Sequence, residues 1–216
     1  MTHPESEPRS GPPFGPSDPL DDVGVRLMLA WKAGDESAFD RLVEAYSGQV
    51  WALLTRFVQG QALREDLVQE VFLRVIRARD RYEPTARFST WLYRIVFNLS
   101  VNETQRLGKR ETHSGDSVLG DGEFSRDGWS RIADASATEP AEEMARDDAV
   151  TAVRAAIQAL PQQQRMALIL AKYDELPYDE IGTVLGISEK AVKSLVHRAR
   201  ESLRERLAPF LKGEIA

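Results

Sequence analysis

The stretch Tyr178–Leu203, YDEIGTVLGISEKAVKSLVHRARESL, carries two helical apolar stripes separated by one glycine turn. Ile181, Val184 and Leu185 form the first stripe; Val192, Leu195, Val196, Ala199 and Leu203 form the second. Between them Gly186 can take a positive φ, Ser188 can cap the second helix, and Gly182 lets that helix come close. The spacing predicts a helix-turn-helix. The outward face of its second helix carries Lys190, Lys193, Ser194, His197, Glu201 and Arg204, with Arg198 at its edge. Short polar and basic groups near the N-terminal half suit base edges in a major groove, and the further cations suit phosphates. The competing reading is a merely solvated basic face; the coincidence of turn, core spacing and charge favours DNA. A helix-turn-helix alone does not choose between activators, repressors and recombinases.

Working back along the chain, Leu160-Pro161 and Leu176-Pro177 each mark a helix start, and helical patterning begins at about Ala141. Residues 111–140 are rich in Gly, Ser and Asp without sustained periodicity, which predicts a flexible linker. From about Leu20 to Arg110 the pattern is helical throughout, with Gly34 as a stop and Asp35 as an N-cap. Residues 1–19 hold six of the eleven prolines and read as a disordered tail. The expected fold class is therefore all-α: two small helical domains, 20–110 and 141–210, on a flexible linker.

In the first domain, Asp66–Tyr82 reads DLVQEVFLRVIRARDRY. Leu67, Val68, Val71, Phe72, Val75 and Ile76 make one apolar face, while the other shows Asp66, Gln69, Glu70, Leu73, Arg74 and Arg77. The exposed leucine is either a stray apolar residue or part of a docking surface for a charged helix of another protein; spacing leaves both open. The next helix, in RFSTWLYRIVFN from Arg87 to Asn98, is two-faced. Phe88, Trp91, Leu92, Ile95, Val96 and Leu99 form a core stripe, yet Tyr93 and Phe97 fall on the opposite side. A preceding loop with Tyr82, then Asn98, Asn102, Arg106, Lys109 and Arg110, resembles a single-strand site where rings stack on bases and cations follow the backbone. The alternative is that Tyr93 and Phe97 pack against another helix.

Charge sharpens this. The chain of 216 residues has a net charge of -6, yet Arg74–Arg110 holds nine basic residues against three acidic ones, and Ile187–Arg206 six against three. Two basic segments in an acidic chain suit a protein that touches polyanions at two places. Cysteine is absent, which excludes disulfides and thiolate metal sites and fits a reducing cytoplasm. No apolar run reaches membrane-span length, so membrane insertion is not expected. The carboxylates Glu65, Asp66 and Glu70 lack a Glu-x-x-His pairing; the histidines are His3, His113 and His197. With no phosphate-cradling loop and no nucleophile–base pair, neither a catalytic residue nor a metal or cofactor is expected.

The segments DLVQEVFLRVIRARDRY…FSTWLYRIVFN and Leu160–Leu207, in this order and spacing, resemble the sigma-70 family of bacterial transcription initiation factors. More narrowly they resemble its extracytoplasmic-function group, which keeps only a promoter-melting domain and a C-terminal helix-turn-helix domain. The resemblance implies that Asp66, Gln69, Glu70 and Leu73 dock on the β′ coiled coil of core RNA polymerase, whose β subunit is a further partner. It implies that Tyr82 and Asn98 hold a base flipped from the −10 element, with Arg106, Lys109 and Arg110 on the adjacent backbone. It implies that Lys190, Lys193, Ser194, His197 and Arg198 read the −35 element of promoter DNA. An anti-sigma factor that clamps the two domains is a further implied partner. The rival is a helical regulator whose first domain senses a ligand in an apolar pocket.

Overall fold

Proline, glycine and acidic caps divide the described residues into eight α-helices. The computed structural model describes residues 19–58, 60–111 and 140–211, and every helix or strand assigned among them is helical. The N-terminal unit comprises α1 (Val23–Lys32), α2 (Ser37–Phe57), α3 (Gln61–Ala78) and α4 (Phe88–Glu111). The C-terminal unit comprises α5 (Pro140–Gln158), α6 (Gln162–Tyr173), α7 (Tyr178–Leu185) and α8 (Glu189–Leu211). Of the expected tail (1–19) and the expected linker (111–140), residues 1–18 and 112–139 lie outside the described residues.

The helix starts follow from local chemistry. Asp22 accepts the Val25 N–H at 2.9 Å and caps α1. Asp35 accepts both the N–H (3.1 Å) and the hydroxyl (2.6 Å) of Ser37, while the N-cap position of α2 falls on Glu36, one residue later than expected. Pro161 and Pro177 stand in extended geometry immediately before α6 and α7. Their missing N–H removes a donor that the first turn would leave unpaired.

Helices α2, α3 and α4 bury Leu42, Leu53, Leu67, Val71, Leu92 and Val96 against one another. One residue departs from the expected stripe: Ile76 is 43% exposed and stands beside Leu73, 44% exposed. The apolar arc of α3 is wider than the core can cover.

Helix α4 is covered twice. Tyr93 and Phe97 are buried as well, although they face away from Leu92 and Val96. The Tyr93 hydroxyl donates to Asp174 Oδ1 at 3.0 Å, in the turn after α6. Phe97 packs edge-on to Phe57 with centroids 6.3 Å apart, and the Arg165 guanidinium lies 5.3 Å from that same Phe57 ring. Two helical units are present, and they share one continuous apolar core, with α4 against α7 and α2 against α6.

The contact also completes a helix end. The last carbonyls of any helix lack intrahelical partners. Here Gln158 donates to Arg56 O at 3.1 Å and Arg165 donates to Phe57 O at 2.9 Å. Both donors come from the C-terminal unit, and the Arg165 cation sits where the dipole of α2 is negative. Burial pulls the Arg165 pKa down, and its hydrogen bonds to Phe57 O, Leu160 O and Gln158 compensate.

In the helix-turn-helix, Gly186 adopts φ +69°, the left-handed conformation that ends α7. A Cβ on Gly182 would lie 2.6 Å from Ile187 O, so only glycine admits the turn this close. Ser188 Oγ accepts the Ala191 N–H at 3.3 Å and starts α8. Gly182→Ala is expected to destabilise the protein by about 1–3 kcal/mol through that overlap, despite alanine's better helix propensity. Urea unfolding followed by circular dichroism measures it; an unchanged or raised midpoint would contradict the close approach.

Candidate nucleic-acid interface and docking face

On α8 the residues singled out by sequence emerge together. Lys190, Lys193, His197 and Arg198 are exposed and Ser194 is half-buried between them. Two are already oriented by neighbours one turn back. Glu189 holds the Lys193 ammonium at 2.6 Å, and this hydrogen bond raises the lysine's pKa. Ser194 Oγ accepts from Arg198 at 2.8 and 3.3 Å, which steadies the fork of the guanidinium along the helix surface. A planar two-pronged donor in this position can pair with the O6 and N7 acceptors of a guanine.

On α3, Asp66, Gln69 and Leu73 are exposed along one stripe with Glu70 half-buried among them, and Ile76 extends the stripe by a turn. Glu70 accepts from Arg74 at 3.1 Å and from Arg77 at 3.3 Å. The face therefore presents carboxylates at one end, two exposed aliphatic side chains in the middle and paired arginines at the other. Both polarity and apolar area are available to a partner helix.

The loop between α3 and α4 is pinned rather than open. Arg79 donates to Trp31 O at 2.5 Å and to Glu36 at 2.7 Å while stacking over the Trp31 ring at 4.7 Å. Lys32 donates to Tyr82 O at 3.0 Å. These contacts draw the Tyr82 ring inward until it is 3% exposed, edge-on to Trp91 at 5.0 Å and to Phe88 at 6.3 Å. Tyr82 thus offers no face to an unpaired base, contrary to its expected role. Composition alone could not show that Phe88 and Trp91 fold back over this loop.

Asn98 is exposed on α4, and Arg106 two turns later is exposed and paired with Glu103 at 3.2 Å. Lys109 and Arg110 continue the same helix, but their side chains lie outside the described residues. Of the residues expected to meet the −10 element, Asn98 and Arg106 are both exposed on α4.

Sequence reasoning missed the polar cluster between the units. Thr90 donates to Glu180 at 2.6 Å, Arg87 lies 3.6 Å from the same carboxylate, and Tyr93 reaches both Asp174 and Gln49. Beside it lies a cleft of about 780 Å³, bordered by Glu44, Trp51, Arg56, Arg87, Asp174 and Glu175 among others. The signal was present in the surplus rings of α4, though nothing in the sequence named what covers them. Burial raises the Asp174 pKa, while its bond to Tyr93 and the nearby Arg56 cation oppose that rise.

Among the described residues no group of His, Asp or Glu is arranged to hold a metal ion. No described helix is long and apolar enough to cross a membrane.

Comparison with known proteins gives the same two units. Residues 42–110 match the model of sigma-70 region 2 and residues 151–203 match that of sigma-70 region 4. The RNA polymerase sigma-H factor of Pseudomonas aeruginosa is 36% identical over 187 residues, covering 87% of this chain and 95% of that protein. The ECF RNA polymerase sigma-E factor of Escherichia coli K12 is 31% identical over 186 residues, covering 86% and 95%. The fold is similar to that of the sigma factor RpoE solved with the anti-sigma factor NepR from Bartonella quintana. That match has a TM-score of 0.59 and 22% identity, over 79% of this chain and 96% of that one.

The Tyr82 environment generates a stability prediction. Its hydroxyl is buried with no hydrogen-bond partner among the described residues, and burial raises its pKa. A phenol whose pKa is raised by folding stabilises the fold fully below its unfolded pKa of about 10, and that contribution is lost as pH rises above it. Tyr82→Phe should leave the melting temperature at pH 7 unchanged or higher and should reduce the loss of stability above about pH 10. Thermal melts of both proteins from pH 7 upward test this; a large drop at pH 7 would show that the hydroxyl is bonded after all.

Proposed function

The chain belongs to the sigma-70 family, in its extracytoplasmic-function group, and we propose how its surfaces divide the work of a sigma factor. As a member of that family it directs core RNA polymerase to promoters and starts transcription. The chemistry of phosphodiester formation belongs to polymerase, so this chain needs no catalytic group of its own. Its place of work beside polymerase is the cytoplasm.

The α3 stripe of Asp66, Gln69, Glu70 and Leu73 docks on the β′ coiled coil, with Ile76 adding apolar area at its edge. What supports this reading is two exposed aliphatic side chains framed by carboxylates and arginines on one helix face. The exposed face of α8 enters the major groove of the −35 element, with Arg198 and Lys193 as its main contacts. Asn98 and Arg106 meet the non-template strand of the −10 element, and Lys109 and Arg110 follow its backbone.

Melting then needs no chemistry. Pulling a base out of the stack costs a few kcal/mol. Protein contacts that favour the separated strand over the duplex shift that equilibrium by their differential affinity. Tyr82 supports this site as an anchor of the loop rather than as a stacking platform. A protein that clamps the two units is a natural regulator; the sigma factor RpoE of Bartonella quintana, similar in fold, is solved in complex with the anti-sigma factor NepR.

The observation that carries this reading is the exposed, pre-oriented basic face of α8 on a glycine-tight turn. Core polymerase with and without the chain, assayed on a library of promoter fragments, tests it directly. Specific transcripts should appear only with the chain. A chain that bound operators yet started no transcript with core polymerase would favour the ligand-sensing regulator.

Two substitutions separate the surfaces. Lys193→Ala with Arg198→Ala should weaken −35 duplex binding by about 1–3 kcal/mol per lost base contact, with a shallower salt dependence, and leave polymerase association intact. Asp66→Ala with Glu70→Ala should weaken association with core polymerase by about tenfold, or ~1.4 kcal/mol, and leave −35 binding intact. Normal initiation by the first variant, or unchanged co-purification of the second, would refute the respective assignment.

A further inference from the structure

We propose that the cleft between α2 and the turn joining α6 to α7 binds a small organic polycation, an aliphatic polyamine with an ammonium group at each end. This goes beyond the promoter reading above and does not depend on it.

Space comes first. The cleft of about 780 Å³ is of the size that holds a small ligand. It is open because α2 lines it with Ala45, Gly48 and Ala52, three small residues at helical spacing on one face. A Cβ added at Gly48 would meet nothing within 4 Å, so no neighbouring group fills the room these residues leave.

The walls suit alkyl chains and cations. Trp51 lines the cleft half-buried, and the guanidinium of the buried Arg64 backs its ring at 5.5 Å. On the α6 side, the Tyr173 ring already carries one cation, the Arg56 guanidinium at 4.6 Å. Aromatic faces attract ammonium groups, and their bodies give methylene stems a surface to lie along. Tyr93 and Asp174 join the two sides by a 3.0 Å hydrogen bond, so this part of the lining is held in place before a ligand arrives.

Charge selects the sign of the ligand. The carboxylates Glu44, Asp174, Glu175 and Glu180 line the cleft against the guanidiniums of Arg56 and Arg87. Both arginines are already answered: Arg87 lies 3.6 Å from Glu180, and Arg56 favours the charged form of Asp174 against burial. Glu44 and Glu175 are exposed and form no ion pair among the described residues. One stands on α2 and the other in the turn after α6, so a ligand that answers both needs two positive ends and a spacer. Glu175 is also the only non-glycine residue at positive φ among those described, at +50°, a conformation found where surroundings or a ligand hold it. A bound anion would add to the surplus negative charge. A single metal ion has no prepared ligand set among the described residues.

Calorimetric titration of the full-length protein with spermidine at fixed ionic strength tests this. Binding should be saturable and one-to-one, should resist magnesium chloride at equal ionic strength, and should have no counterpart with inorganic phosphate. Glu44→Gln with Glu175→Gln, both at exposed positions, should weaken it by at least about tenfold. Gly48→Leu should abolish it by filling the cleft, whereas Gly48→Ala should bind within about threefold of the parent. Both replacements favour helix over glycine, so melts without spermidine should show no loss of fold. Absence of saturable binding, equal binding by Gly48→Leu or by the double glutamine variant, loss of binding in Gly48→Ala, displacement by magnesium, or tighter binding of phosphate would each overturn the site. No polymerase or DNA enters the measurement, so its outcome and that of the promoter assay are independent.

Discussion

A helix with Leu92 and Val96 on one side and Tyr93 and Phe97 on the other leaves little surface for water, so two separate bodies have to cover it. Helix α4 meets that constraint by inserting between its own bundle and the C-terminal unit. The burial is paired with polar matching. Tyr93 brings a hydroxyl that would be costly to bury alone, and Asp174 accepts from it. Asp174 in turn would be costly to bury alone, and Tyr93 and Arg56 favour its charged form against burial. Each partner is stable there only because the other is present.

At its margin such a contact is more polar than the core it adjoins. Apart from Thr55, Arg64, Thr90 and Ser100, the described interior of the N-terminal bundle is aliphatic and aromatic, and separating its helices would expose apolar surface. Between the units, hydrogen bonds to Arg56 O, Phe57 O and the Glu180 and Asp174 carboxylates can each be exchanged for bonds to water. Interfaces within a chain that are polar in this way are the ones expected to open and close. The adjoining cleft of about 780 Å³, lined largely by charged and hydroxyl-bearing groups from both units, already admits solvent to the seam. It is also unlike the apolar chamber within the first domain that a ligand-sensing regulator would need.

The helix-turn-helix was legible in Tyr178–Leu203 because every local signal agreed: apolar period, glycine turn and serine cap. The exposed stripe of α3 was legible as far as Leu73, whereas Ile76 was not, because periodicity gives the width of an apolar face and not the width of what covers it. Tyr82 was misread for a related reason. Its environment is set by Arg79 on Trp31 and Lys32 on its own carbonyl, contacts that join residues about fifty positions apart. The contact between the units was invisible as such, since Asp174, Glu180 and Arg165 look like ordinary surface residues until α4 and the end of α2 are brought to them. What the sequence did show was an excess: rings on a face that needed none.

The distribution of charge follows from the same seam. Arg87 belongs to the basic segment Arg74–Arg110, and Glu180 to the acidic approach to the recognition helix. They lie 3.6 Å apart and both are partly exposed, so their attraction is screened by salt. Arg165 meets backbone carbonyls at the same seam and is partly buried, so salt reaches it less than it reaches the Arg87–Glu180 pair.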